Sequence, residues 1–98
     1  MVTINIKEEN NIINEVAFTG HCADTNVCAA VSALSIATAN YIELIEDTIE
    51  TTDENGVLTI KVVRPGQYTE NILRQMLNML KDIQTDYPDE LAIDGALF

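Results

Sequence analysis

Residues 20–34 read Gly20-His21-Cys22-Ala23-Asp24-Thr25-Asn26-Val27-Cys28-Ala29-Ala30-Val31-Ser32-Ala33-Leu34, or GHCADTNVCAAVSAL. Two periodicities meet in this stretch. Upstream, Ile12 to Thr19 alternates, with Ile12, Asn14, Val16 and Phe18 on one side and Ile13, Glu15 and Ala17 on the other. A period of two is that of a half-buried strand. Downstream, Val27, Ala30, Val31, Leu34, Thr38, Tyr41, Ile42 and Ile45 recur at three- and four-residue spacing, which predicts a helix. Gly20 ends the strand, a polar loop runs to Asn26, and Thr25 or Asn26 is the expected N-cap. The alanines at 29, 30, 33, 37 and 39 favour the helix and keep its surface slim. Its end is expected between Glu43 and Glu46.

Working outward, Val2 to Lys7 alternates and predicts a first strand, joined to the second through a turn at Glu9-Asn10-Asn11. Thr48 to Thr52 suits a third strand. Asn55-Gly56 is a hairpin dipeptide, and Val57 to Val63 follows as the fourth strand. After the break at Arg64-Pro65-Gly66, Thr69 to Thr85 predicts a second helix with Ile72, Leu73, Met76, Leu77, Leu80 and Ile83 on its core face. Tyr87-Pro88 stops it, because proline supplies no N–H to the helical ladder. Leu91-Ala92-Ile93 is a candidate closing strand. The order is ββαββα, with that short strand as an optional last element. Hairpins separated by helices imply an α+β fold, a small, mostly antiparallel sheet with two helices packed on it.

The totals set outer bounds. Ninety-eight residues fit a single domain spanning 1–98, which buries roughly 60–70% of its unfolded surface. With no Trp, three Tyr and two Phe, the core must be aliphatic. No apolar run is expected to reach the ~18–20 residues that cross a bilayer. The opening MVTINIKEEN alternates and carries acids, unlike a secretory leader. The expected compartment is the cytoplasm, where thiols stay reduced and the two cysteines would not form a lasting disulfide. Sixteen acids against five bases give a formal net charge of −11. That field repels phosphate backbones, so no nucleic-acid partner is expected, and it attracts basic ones.

The quoted stretch also holds the only histidine and both cysteines. His21 falls at a strand end and Cys28 in the first turn of a helix. The amides there are unpaired within the helix and carry about half a positive charge, which favours a thiolate. A thiolate beside an imidazole base is a minimal acyl-transfer pair, and the same amides suit an oxyanion. The spacing by itself equally admits an inert, buried Cys28. Asp24 reads as a helix cap or as an orienting acid. Ser32, one turn after Cys28, reads as packing or as support for the site. His21, Cys22 and Cys28 do not have the spacing of a zinc module and lack a fourth ligand, so no metal or other cofactor is expected. A reversible Cys22–Cys28 disulfide remains an alternative use of the pair.

Gly20-His21, a short loop, then Val27-Cys28-Ala29-Ala30-Val31-Ser32-Ala33-Leu34 resembles the signature of the ribosomal-processing cysteine proteases, the Prp family. The order of hairpins and helices, down to Tyr87-Pro88-Asp89, is similar over nearly the whole chain. The resemblance implies a cytoplasmic, homodimeric cysteine endopeptidase working without metal, with Cys28 as nucleophile and His21 as its base. Asp24 and Ser32 would be supporting or substrate-binding residues. The implied substrate is a basic protein, a large-subunit ribosomal protein precursor whose N-terminal extension is removed, with apolar and aromatic residues before the cut. Two features depart from the family pattern. The His–Cys loop is several residues shorter, and Thr25 stands where an aspartate is usual. The alternatives are a weak or inactive peptide-binding module on the same fold, or a thiol redox or metal sensor.

Overall fold

The computed structural model describes residues 1–95. Its elements are β1 (Val2–Glu9), β2 (Ile12–Gly20), α1 (Thr25–Ile45), β3 (Ile49–Glu54), β4 (Val57–Val62), α2 (Thr69–Asp86) and β5 (Leu91–Asp94). This is the α+β order ββαββα with the final short strand present. The five strands form one sheet in the order β3-β4-β2-β1-β5. Four of the strands pair antiparallel, and β5 adds to β1 in parallel, so the sheet is mixed.

Both hairpins turn as their sequences dictate. Asn10 and Asn11 have φ of 55° and 64°, and Asn55 and Gly56 have 54° and 77°. Two successive positive φ values make a type I′ turn, whose twist matches that of the flanking strands. The first hairpin nevertheless breaks the simple alternation. Lys7 pairs with Glu15 but Glu8 with Ile13, so Asn14 is an extra residue, a β-bulge. The bulge reverses the parity of β2. Ile13 joins Val16 and Phe18 in the core, while Ile12, expected beside Val16, is 56% exposed. The displaced Ile13 N–H donates to Glu70 Oε1 in the first turn of α2 at 2.9 Å. Arg74 then links Glu70, Glu8 and the Asn11 carbonyl, which fastens α2 to this end of the hairpin.

One aliphatic core lies between the sheet and the helices. Val2, Ile4, Ile6, Ile13, Val16, Phe18, Ile49, Ile60 and Leu91 come from the strands, and Leu73, Met76, Leu77 and Leu80 from α2. Burying each of these α2 leucines contributes about 2 kcal/mol relative to leaving it in water. The α1 stripe differs from expectation. Val27, Val31, Ser35, Ala39 and Ile42 are buried, whereas Ala30, Tyr41 and Ile45 face outward. Residues four apart keep one face only for a few turns, and the small Ser35 and Ala39 let α1 settle on that side. Tyr41 and Ile45 instead border a groove of about 650 Å³ with Tyr68, Ile72, Met76 and Met79 of the α2 region. The expectation that no segment reaches membrane-spanning length is also corrected. α1 has 21 residues and a mean hydropathy of 1.5, enough by length and composition. Its alanines and the lack of any charge from Thr25 to Ile42 raise that value, although no unbroken run of large apolar residues occurs.

Candidate active site

The sheet end where β2 stops, β1 and β5 begin and the β3–β4 hairpin turns is covered by the start of α1. Gly20 sets the exit from β2. Its φ is +89°, and a Cβ there would collide with the Met1 carbonyl oxygen. Only glycine adopts this turn without strain. The chain therefore leaves the sheet at His21, which is exposed.

A cleft of about 340 Å³ opens beside this turn. His21, Cys28 and Ser32 all line it, so three of the four residues singled out in the sequence share one cavity. Its apolar wall comes from Val2, Phe18, Val31, Ile36 and Leu58, with Asp53 at the hairpin end. Among the described residues, no hydrogen bond joins His21 to Cys28. Asp24 has a different task. It is the N-cap of α1, its Oδ1 accepting the Asn26 N–H at 2.8 Å and its carbonyl accepting the Cys28 N–H at 3.2 Å. This corrects the expected cap at Thr25 or Asn26, since the loop turns one residue earlier. It also means that two amides near the helix start are already engaged.

Cys28 is half-buried on the inner side of α1, and its Sγ accepts the Cys22 backbone N–H at 3.0 Å. The donor facing the sulfur is thus a loop amide rather than a first-turn helix amide. Cys22 itself is kept as a thiol. Loss of water, then its contact with the Cys28 thiol and the nearby Glu90 carboxylate, push it up to about 12. At neutral pH Cys22 therefore remains protonated.

Glu90 was not foreseen from the sequence. It precedes β5, and its Oε2 accepts the N–H groups of Ala23 at 2.8 Å and Asp24 at 3.3 Å. Its own backbone is fixed on both sides, the N–H donating to Tyr87 O and the carbonyl accepting the Val2 N–H. A contact across 66 or 67 residues leaves no local signal. Leu58 and Asp53 were equally hidden, although the parity of β4 puts Leu58 on the same face as buried Ile60. Among the described residues, no group of three His, Cys, Asp or Glu side chains could hold a metal ion.

The family described as cysteine protease Prp matches residues 1–92. A crystal structure of the essential ribosomal processing protease Prp from S. aureus, with a covalently linked product peptide, is similar at 26% identity and a TM-score of 0.82. The match covers 96% of this chain and 98% of that one. The same protease with a substrate peptide superposes at a TM-score of 0.87 and 22% identity, over 96% and 98% of the two chains. A Streptococcus mutans protein matches at 0.80 and 20%, over 96% and 92%. The last two likenesses speak to the fold. No curated protein matches the chain in sequence.

Proposed function

The chain belongs to the cysteine protease Prp family, and from that premise we propose that it is a cysteine endopeptidase whose nucleophile is Cys28 and whose base is His21. The observation that carries the reading is that the only histidine and Cys28 line the same cleft, with an N–H donor 3.0 Å from the sulfur. His21 takes the thiol proton, and the Sγ lone pair attacks the peptide carbonyl carbon. The oxyanion forms over the positive end of α1. His21 returns the proton to the leaving amine. Water, deprotonated by His21, then attacks the thioester carbonyl and releases the thiol and the carboxylate product. His21 is exposed and its ring has no hydrogen bond among the described residues, so the ring is able to turn within the cleft it shares with Cys28.

The substrate in this proposal is a basic ribosomal protein precursor carrying an N-terminal extension. The apolar wall of Phe18, Val31, Ile36 and Leu58 suits apolar or aromatic residues before the cut. The charge of −11 draws a basic chain from a distance. The active form is a homodimer in the cytoplasm. A second copy would cover the groove where Tyr41, Ile45, Tyr68 and Met79 are each at least 41% exposed. A Tyr41→Glu chain is then expected to sediment at half the mass of the natural one.

The test is incubation with candidate precursors, read by the mass of the product. The extension is expected to be lost with the natural chain and retained with Cys28→Ala. Intact precursor in both would overturn the assignment. A thiol redox sensor is the second reading, because the Cys22 backbone N–H donates to Cys28 Sγ at 3.0 Å and so holds the two cysteines side by side. In it a hydroperoxide oxidises the Cys28 thiolate to a sulfenic acid, which condenses with the Cys22 thiol to a disulfide and water. Peroxide treatment that leaves both thiols free of a mutual disulfide removes that reading.

A further inference from the structure

The path of the loop from His21 to Cys28 sets where the amide of Cys22 meets the Cys28 sulfur. That amide lies 3.0 Å from Sγ. The next two amides, of Ala23 and Asp24, converge on a single oxygen of Glu90. Three consecutive N–H groups are therefore committed, one to the sulfur and two to a carboxylate from the other end of the chain. The remaining side of the loop is fixed by Asp24, which caps α1. Glu90 is itself anchored by its backbone to Val2 and Tyr87, so its carboxylate reaches the loop from a main-chain position that the sheet end holds.

We propose that Glu90 is a positioning residue for the nucleophile, acting through the Ala23 and Asp24 amides to aim the Cys22 N–H at Cys28 Sγ; this rests on the assignment of Cys28 as nucleophile. An N–H aimed at sulfur stabilises the thiolate, the reactive form. The charge of Glu90 works in the opposite sense, since a carboxylate near a thiol disfavours its ionisation. The useful property is therefore the position of the acceptor oxygen, and the two effects separate in different variants. Glu90→Gln keeps an oxygen that accepts both amides and removes the charge. Glu90→Asp keeps the charge and withdraws the oxygens by one methylene, about 1.5 Å.

The experiment measures the rate of Cys28 alkylation by iodoacetamide against pH in a Cys22→Ala background, which retains the Cys22-position amide and leaves one thiol. Glu90→Asp is expected to react roughly fivefold more slowly at neutral pH, the scale of one ordinary net hydrogen bond, with its profile displaced to higher pH. Glu90→Gln is expected to react at least as fast as the parent. A Glu90→Asp profile that coincides with the parent, even with a lower melting temperature, makes Glu90 a purely structural tie and overturns the proposal. If Glu90→Asp does not fold, Glu90→Gln decides alone, and slower alkylation in it overturns the proposal. Peptide cleavage is followed separately. The expected alkylation order without any cleavage sinks the peptidase reading and leaves Glu90 in its place. Cleavage with the wrong order does the reverse.

Discussion

At the start of α2 a carboxylate from elsewhere in the chain closes the helix end, whereas at the start of α1 the cap is the local Asp24 and a cleft opens beside it. Tyr68 and Thr69 donate their amides to Glu46 at 2.7 and 3.0 Å, and the Thr69 hydroxyl joins them at 2.5 Å. Thr48 and Thr69 share a buried hydroxyl pair, and Gly66 is packed so closely that a Cβ would strike Glu46. These donors all have structural partners. At α1 the cap is the local Asp24, the remote carboxylate of Glu90 serves the preceding loop, and the sulfur of Cys28 takes an amide that no oxygen occupies. The same devices, a helix end and a carboxylate from far along the chain, close one site and equip the other. In the proposed reading, that difference leaves Cys28 on the wall of a cleft where a substrate can reach it.

The sharpest way to break the comparison is at the sulfur. Cys28→Ala is expected to lower cleavage of a precursor peptide by at least about a thousandfold, as loss of a covalent nucleophile does, with an unchanged melting temperature within a few degrees. Retained cleavage would make the cleft beside α1 irrelevant to the chemistry. Next in size is Gly20→Ala. Its positive φ and the Met1 carbonyl leave no room for a methyl, so the turn must shift and carry His21 with it. Cleavage should fall roughly tenfold or more, and stability by about 1–3 kcal/mol, both read on the purified variant.

The α2 end should respond in stability alone. The hydroxyl of Thr69, together with the Tyr68 and Thr69 amides, holds the Glu46 carboxyl below its ordinary value of 4.5. A depressed carboxyl stabilises the fold above its unfolded value and loses that contribution as pH falls through its folded value. Glu46→Gln should therefore melt a few degrees lower at neutral pH, with the difference closing as pH drops below about 4.5, and with kcat for a peptide substrate unaltered. A large loss of activity would mean that the two helix ends are not separate. The smallest effect is that of the overall charge. Raising salt from about 50 to about 500 mM should slow cleavage of a basic substrate several-fold and leave a neutral one nearly unaffected. Equal responses would leave the charge of −11 to solubility.

Much of this fold could be read in the chain, for reasons that are local. Asn10-Asn11 and Asn55-Gly56 fix their turns through their own φ preferences, and the six apolar residues of α2 lie within two neighbouring faces of one helix. What escaped the reading was set by partners distant in sequence. The bulge at Asn14 reversed the faces of Ile12 and Ile13, because Glu70 and Arg74 receive that end of the hairpin. Tyr41 and Ile45 fit the apolar period of α1, yet they turn away from the sheet toward α2. In the site, Cys28, His21 and Ser32 were identifiable because a strand end and a helix start bracket them. Asp24 was legible as a helix cap or an orienting acid, and it is the cap. Asp53 and Leu58 reach the cleft, and Glu90 the loop beside it, through sheet pairing and a long return of the chain, which no window of sequence contains.

The most direct test of the peptidase reading is an activated peptidyl ester mixed with the natural chain and its His21→Ala variant, with the adduct mapped by mass. The account predicts one thioester per chain on Cys28, hydrolysed in time by water, and formed far more slowly when His21 is absent. Acylation of Cys22, or a rate on Cys28 indifferent to His21, would contradict it.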